Sequence, residues 1–220
     1  TDYIWGGNKL RTDYGIESDL DIIAEAWVLS CHKNGMSVID NDKYKGMTLA
    51  QYIEIEGPDV LGSNYEGYAE FPILTKLIDA KENLSIQVHP DNTYAMENEG
   101  SFGKSEMWYI VEAEPDAIIY YGVSRAVSEE EFCKRIEDGT LTDILNAVPV
   151  KKGDSFYIPA GTLHAICKGV VIAEVQQNSN ITYRVYDYGR KDQEGNKREL
   201  HVDRAIEVAR RIPNYSKDFS

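Results

Sequence analysis

The spacing of two histidines constrains the fold of this 220-residue chain more than any other feature. Gln87 and His89 lie two residues apart in a run typical of a strand, and residues 153–164 read GDSFYIPAGTLH, ending at His164. Side chains two apart on a strand point to the same face, so Gln87 and His89 share one face of a sheet. The Pro-x-Gly turn places His164 at a rigid entry to another strand. Polar side chains that converge in this way need an enclosed space, which the interior of a β-barrel provides.

A carboxylate accompanies these three side chains. Glu106 begins a predicted strand after an irregular loop that spans residues 90–105. Together with Gln87, His89 and His164 it supplies two nitrogen and two oxygen ligands, a set that suits zinc with a position left for water or substrate. Iron, manganese, cobalt or nickel could take the same ligands, because the sequence does not separate these metals. We therefore predict one Zn²⁺, or another divalent ion, per chain inside the barrel.

The other two histidines carry weaker predictions. A single buried histidine is more often structural than a ligand, and only the two runs taken together favour a metal. His32 could line the edge of the pocket. His201 lies near the end of the chain and is expected at the surface or in packing contacts.

The charge of the chain excludes one large class of partners. It carries 37 acidic and 23 basic residues, a formal net charge of −14, so nucleic-acid phosphates would be repelled over most of the surface. A small phosphate can still bind where a few lysines or arginines converge. The apolar runs are shorter than the ~20 residues of a spanning helix, and three widely spaced cysteines suit a reducing compartment. We expect a cytoplasmic protein that binds neither nucleic acid nor membrane; its oligomeric state stays open.

Composition and turn residues favour strands over helices. Fifteen tyrosines, with many isoleucines and valines, are typical of β-structure. Helices are predicted at about 128–146, where Ser128 precedes an acidic first turn, and at 203–212 and 48–55. Short strands are predicted at Ser85–His89, Glu106–Val111, Ala117–Tyr121, Ser155–Ile158, Val170–Gln176 and Ile181–Tyr188. This pattern predicts a mainly β jelly roll or barrel with a few short helices, in one domain over residues 1–220.

The chain also resembles a known superfamily. Residues 153–164 fit the later of the two cupin signatures, Gly-x5-Pro-x-Gly-x2-His, at every fixed position. The earlier signature differs from the usual pattern, because Gln87 stands where its first histidine is usual and the 90–105 insertion displaces Glu106. Lys168 also stands where an asparagine is usual. These departures are similar to those of one branch of the cupins.

That branch is the type I mannose-6-phosphate isomerases, in their short bacterial form. The chain resembles this family through six runs that occur in the family's order, which together are very specific. The runs are IWGG at 4–7, AEAW at 24–27 with Ser30 and His32, LSIQVHPD at 84–91, GKSEMWY at 103–109, FYIPAGTLHA at 156–165, and IAE at 172–174 with YRVYDYGR at 183–190.

The resemblance implies a cupin jelly-roll (double-stranded β-helix) barrel with a zinc site. It also implies an enzyme that interconverts mannose 6-phosphate and fructose 6-phosphate through an enediol or enediolate. The family's zinc ligands correspond to the same four residues that the ligand chemistry selects. Its other active-site positions correspond to Arg184, Glu174 and Lys104 for catalysis, and to Ser85, Lys76 and Arg190 for binding a small phosphorylated sugar.

These residue types fit the implied chemistry. A guanidinium stays charged at any working pH, so Arg184 could stabilise the oxyanion that forms when a proton leaves the carbon next to a carbonyl. The phosphate needs cations and small donors, which Ser85, Lys104 and Arg190 could supply.

The group that transfers the proton is less clearly indicated. Glu174 is the first candidate, because it shares a strand face with Gln176. Lys104, His32 and a water on the metal remain open as alternatives. Many relatives carry an aspartate at the position of Asn180, and an amide cannot act as a base near neutral pH.

Members of the short form also contain a second β-domain after the catalytic one. The chain ends soon after the predicted 203–212 helix. We therefore expect that C-terminal domain to be absent here. All four predicted metal ligands lie within the present residues.

Two other functions compete with the isomerase. One is a non-catalytic cupin that binds a phosphosugar or a metal, which Asn180 and the expected absence of the C-terminal domain make plausible. The other is a different metal-dependent cupin enzyme such as an oxygenase. An iron oxygenase more usually has two histidines and one carboxylate without the additional glutamine, so Gln87 favours the isomerase.

Overall fold

In the described part of the chain, ten short strands, most with alternating apolar residues, form two facing sheets. The computed structural model describes residues 3–63, 68, 70–191 and 194–214. The strands are β1 (Glu25–Leu29), β2 (Ile73–Ala80), β3 (Ile86–Val88), β4 (Glu106–Ala113), β5 (Ile118–Val123), β6 (Leu145–Pro149), β7 (Ser155–Ile158), β8 (His164–Ile166), β9 (Val170–Gln177) and β10 (Tyr183–Tyr186). Both sheets are antiparallel, with the strand orders β1-β2-β9-β4-β7 and β10-β3-β8-β5-β6.

The main core lies between the two sheets. Ile110 and Ile172 from the first sheet and Ile119 and Ile166 from the second belong to one buried cluster, which also includes Trp108. Each fully buried side chain of this size contributes about 1.5–3 kcal/mol relative to an exposed one. The predicted mainly β jelly roll with a few short helices is confirmed.

The described part of the chain also contains five α-helices. They are α1 (Lys9–Thr12), α2 (Leu49–Glu56), α3 (Asn92–Glu99), α4 (Glu129–Glu137) and α5 (Val202–Val208). Phe132 of α4 and Ala205 of α5 pack into a second buried cluster with Val185 of β10. None of the helices in the described part of the chain is both long and apolar enough to cross a membrane.

Several predicted boundaries need correction. The segment 90–105 is not wholly irregular, because it contains α3, whose N-terminus is capped by the Asp91 carboxylate. The predicted 203–212 helix ends at Val208, where the next residue takes an extended conformation. The helical part of 128–146 consists of α4 and a 3-10 turn at Leu141–Ile144, and β6 begins at Leu145.

Three strands were not predicted, and of β8 only the start at His164 was predicted. β2 reads ILTKLIDA, and its inward face carries the buried polar residue Lys76, which breaks the apolar alternation. β8 is three residues long, too short to give a periodic signal. The missed strands β1, β2 and β6 are therefore either short or carry polar residues that only the tertiary structure buries.

Candidate metal centre and adjoining cavity

Strand pairing places several of the predicted site residues side by side within each sheet. In the second sheet, Gln87 of β3 pairs with Arg184 of β10 on one side and with His164 of β8 on the other. In the first sheet, Glu174 of β9 pairs with Lys76 of β2. Directly paired residues point to the same face, so each row presents its polar side chains together.

His89, Glu106 and His164 form a compact buried cluster. Their nearest potential ligand atoms all lie within 4.8 Å of one another. His89 Nε2 is 3.1 Å from Glu106 Oε1, and His164 Nε2 is 3.6 Å from Glu106 Oε2. The half-buried Gln87 adjoins them, with its amide nitrogen 3.3 Å from His164 Nε2. The structure thus brings together all four predicted ligands.

The electrostatics leave this cluster ready for a cation. Burial, aided by the Lys104 ammonium, lowers the pKa of His89 to about 3, and burial also lowers the pKa of His164. His164 Nδ1 donates to the Thr162 carbonyl at 2.8 Å, which leaves the lone pair of Nε2 facing the cluster. Burial disfavours the Glu106 carboxylate, but Lys104 and His89 outweigh this and hold its pKa well below the usual range. Neutral imidazoles and an ionised carboxylate are the forms that bind metals.

Unsatisfied polar atoms show that the residues fit a metal. Both ring nitrogens of His89 are buried and make no hydrogen bond within the described residues. A buried polar atom without a partner costs about 1–3 kcal/mol, so most such atoms are paired in native proteins. A cation among these atoms would satisfy them. The His89–Glu106–His164 cluster could therefore bind a metal ion.

A cavity of about 260 Å³ adjoins the cluster. Six of the ten residues predicted for the site line it: Lys76, Ser85, Gln87, Lys104, Glu174 and Arg184. His89, Glu106 and His164 lie in the cluster behind this lining. Arg190 is not among the described residues that line the cavity.

Glu174 lies at the centre of a chain of charged groups. Its Oε1 is 3.5 Å from Lys76 Nζ, which is also 3.7 Å from Glu25 Oε2. Burial, aided by the Glu106 charge, raises the pKa of Glu174 to about 7. Burial disfavours the Lys76 ammonium, but the Glu174 and Glu25 carboxylates outweigh this and raise its pKa. The indole of Trp108 donates to Glu174 Oε2 at 3.0 Å and to Glu106 Oε2 at 3.1 Å.

Histidines outside the cluster have other contacts. His32 packs edge-on against Trp27, with ring centroids 5.8 Å apart, and is not among the described cavity-lining residues. His201 is a packing residue: its Nδ1 accepts from the Arg184 backbone N–H at 3.1 Å. The prediction that His201 takes part in packing agrees with this contact.

Sequence reasoning missed part of the cavity wall. Tyr3, Trp5, Glu25, Thr182 and Arg198 line it beside the predicted residues. Trp5 and Glu25 lie in runs that carry the family resemblance, but no spacing rule connected them to the site. Arg198 lies outside all of those runs, so only the folded chain places it there.

The geometry agrees with a comparison against known proteins. A family model for the catalytic domain of type I phosphomannose isomerase matches residues 1–119, about half of the chain. The chain belongs to the type I phosphomannose isomerase family. The resemblance drawn from the six sequence runs is thus confirmed.

Curated relatives carry the same family name. A mannose-6-phosphate isomerase of Streptococcus mutans is 47% identical over 205 residues, covering 93% of this chain and 64% of that protein. The mannose-6-phosphate isomerase ManA of Bacillus subtilis is 47% identical over 206 residues, with 93% and 64% covered. The chain therefore spans slightly less than two thirds of the length of these phosphomannose isomerases.

Solved phosphomannose isomerase structures share the fold. The crystal structure of the mannose 6-phosphate isomerase from Bacillus subtilis has a TM-score of 0.91 at 42% identity, covering 100% of this chain and 69% of that one. A zinc-bound mannose 6-phosphate isomerase has a TM-score of 0.71 at 16% identity, covering 97% of this chain and 73% of that one. At 16% sequence identity, this similarity shows a shared fold only.

Proposed function

We propose that this chain is a metal-dependent aldose–ketose isomerase that interconverts mannose 6-phosphate and fructose 6-phosphate. The observation that carries the proposal is the buried His89–Glu106–His164 cluster beside a cavity lined with lysines and arginines. We assign one Zn²⁺ per chain to this cluster, with Gln87 as the fourth ligand, because its nitrogen and oxygen donors suit zinc. Family membership, and the zinc in a structure of the same fold, support this assignment.

Arg184 stabilises the negative charge that forms during the reaction. A metal held by His89, Glu106 and His164 would polarise the carbonyl and hydroxyl oxygens of the sugar. Arg184 is paired with Gln87 across β10 and β3, so its guanidinium is well placed to reach the same oxygens. Burial and the neighbouring Arg198 charge lower its pKa, yet a guanidinium remains protonated at working pH. Loss of a proton from the sugar leaves an enediolate, whose charge this cation offsets.

Glu174 moves the proton between the two carbons. It lines the cavity, and its buried Oε1 makes no hydrogen bond within the described residues. Its Oε2 is held by the Trp108 indole, and Lys76 lies beside Oε1. Oε1 takes the proton from C2 of the aldose and returns it to C1, while a second proton passes from O2 to O1. Lys76 then acts by holding the carboxylate in place.

The remaining proposals concern sugar binding, domain organisation and cellular location. Ser85 and Lys104 line the cavity and supply hydrogen-bond donors for the hydroxyl groups of the bound sugar. We propose that residues 1–220 act as one catalytic domain, since both sheets contribute side chains to the cluster. We also propose a cytoplasmic location, because Cys31 and Cys167 are buried free thiols of the kind found in reducing compartments.

A coupled assay for conversion of mannose 6-phosphate to fructose 6-phosphate tests the function. We expect activity that a chelator abolishes and Zn²⁺ restores. Glu174→Gln should lower kcat by about 10²–10⁴-fold, since the amide cannot accept the proton. Glu112→Gln is the matched control, because Glu112 binds Lys9 and Tyr14 away from the cavity. A folded, zinc-loaded chain without activity would instead indicate a binding protein.

A further inference from the structure

Three arginines gather around one buried carboxylate beside the cavity, and two of them, Arg184 and Arg198, line it. Asp187, which is 5% exposed, accepts hydrogen bonds from Arg190 Nε at 3.2 Å and from Arg198 Nε at 2.8 Å. The Nη2 groups of both arginines also donate to Asp187 Oδ1. Arg184 lies close enough for the Arg198 charge to lower its pKa. The three cations and single anion leave a local excess of positive charge in a chain whose net charge is −14.

Backbone contacts hold Arg198 beside Arg184. The Arg184 carbonyl accepts from the His201 N–H at 2.7 Å, and its N–H donates to His201 Nδ1 at 3.1 Å. The guanidinium of Arg184 donates from Nη1 to the Glu199 carbonyl at 2.9 Å. These three bonds fasten the segment that follows Arg198 along β10. Arg198 is thereby fixed at the cavity wall, together with Arg184.

The two lysines of the cavity already have partners. Lys104 Nζ lies 2.8 Å from Glu106 Oε1. Lys76 Nζ lies between Glu174 and Glu25, at 3.5 Å and 3.7 Å. Their charges are therefore balanced by carboxylates of the site. The excess positive charge of the cavity therefore lies where Arg184 and Arg198 line it.

Arg198 is also better placed than Arg190. Arg190 donates to Asp187 and to the Asn83 carbonyl, and its guanidinium lies 5.1 Å from the Tyr188 ring centroid. It is outside the described cavity lining, whereas Arg198 is part of it. The resemblance assigned substrate binding to Arg190, but its contacts indicate that it supports Asp187.

A sugar phosphate has two ends with different requirements. Its reacting carbons must lie near the His89–Glu106–His164 cluster and Glu174. Its phosphate must therefore lie against another part of the cavity wall. A phosphate dianion binds most strongly to guanidinium groups, which donate through two parallel N–H groups. We propose that Arg198, held in place by Asp187, binds the phosphate group of the substrate; this rests on the proposed function.

Binding measurements on the zinc-loaded chain test the proposal. Arg198→Met should weaken binding of mannose 6-phosphate, measured by calorimetry, by about 10- to 100-fold, because a charge-assisted hydrogen-bond pair is lost. Binding of inorganic phosphate should weaken by a similar factor, and KM for mannose 6-phosphate should rise. Arg198→Lys should recover part of the affinity, since it keeps the charge but not the two-pronged contact. It also provides a second variant if Arg198→Met does not fold.

The matched control is Arg135→Met. Arg135 is a half-buried arginine of α4 that binds Glu131 and Asp143 and lies outside the cavity. The Arg135→Met variant should bind mannose 6-phosphate with the same affinity as the parent chain.

Binding and turnover separate the two proposals. If Arg198→Met binds mannose 6-phosphate within about twofold of the parent chain, the Arg198 proposal is wrong, even where the parent is an active isomerase. If the parent binds the sugar phosphate through Arg198 but does not isomerise it, the Arg198 proposal stands and the proposed function fails. A parent chain that binds neither mannose 6-phosphate nor inorganic phosphate contradicts both.

Discussion

The indole of Trp108 connects the His89–Glu106–His164 cluster to Glu174, the proposed proton-transfer group. Trp108 donates its single N–H to both Glu106 and Glu174, and its ring meets the His164 ring edge-on at 5.4 Å. Two carboxylates this close would repel each other more strongly without a shared donor. Trp108 is fully buried in the main core. It also orients the charged groups of the site.

Asp187 gives a residue-scale prediction about acid stability. Burial disfavours its carboxylate, but hydrogen bonds from Arg198 and Arg190 outweigh this and lower its pKa. A lowered pKa in the folded state stabilises the protein above the unfolded value of about 3.9, and this contribution is lost as pH falls through the folded pKa. We expect the free energy of unfolding of the parent chain to exceed that of Asp187→Asn by a constant amount above about pH 5.

Below about pH 4 this difference should shrink, because the parent carboxyl becomes protonated and resembles the amide. Urea unfolding of both proteins across this pH range measures it. A difference that stays the same down to pH 2 would show that Asp187 does not titrate with a lowered pKa.

At the scale of elements, the segment 90–105 sets the position of two charged residues of the site. It connects His89 to Lys104 and Glu106, and α3 within it ends at Gly100 in the left-handed conformation. Gly103 then passes against the backbone at Asp91, where an added Cβ would lie 2.3 Å from the carbonyl carbon. The absence of a side chain at Gly103 therefore allows the segment to close on itself before Lys104.

We predict that Gly103→Ala destabilises the fold by about 1–3 kcal/mol, because the new methyl group meets backbone that cannot move aside. Thermal unfolding measures the effect. Gly100→Asn is the control in the same segment, since nothing lies within 4 Å of its Cβ position and asparagine tolerates the left-handed conformation. Equal costs for the two variants would show that the close approach at Gly103 does not matter.

At the scale of the molecule, the predicted ligands come from both sheets. Gln87, His89 and His164 belong to the second sheet or follow its strands, whereas Glu106 begins β4 in the first. A metal bound here would connect the two sheets. Because the unfolded chain does not bring these residues together, metal binding would stabilise the fold.

We therefore predict that the melting temperature rises with zinc concentration. At a free concentration of 100 times Kd the gain is about 2.7 kcal/mol, or roughly 5–10 °C for a chain of this length. His164→Ala removes one ligand and should abolish most of the rise, whereas His32→Ala should retain it. A parent chain that melts at the same temperature with zinc and with chelator would contradict a metal site in this cluster.

Much of the candidate site was predictable because its residues lie in short local patterns. Gln87 and His89 share a strand face by simple alternation, and the turn before His164 depends on neighbouring proline and glycine. The helix α3 was missed, although Asp91 and Gly100 are suitable cap residues, because its apolar residues show no helical periodicity. Arg190 was placed at the substrate through its motif, yet its hydrogen bonds to Asp187 and Asn83 keep it outside the described cavity wall.

The β-rich jelly roll, the candidate metal ligands and the family could be inferred from the amino-acid sequence, because these depend on local periodicity and on runs of fixed spacing. Which charges balance each other became clear only in the folded chain. Lys76 lies between two carboxylates and Arg198 reaches the cavity because residues far apart in the chain are paired across strands or fastened by backbone hydrogen bonds. Electrostatic interactions depend on distance and burial, and chain spacing does not give either.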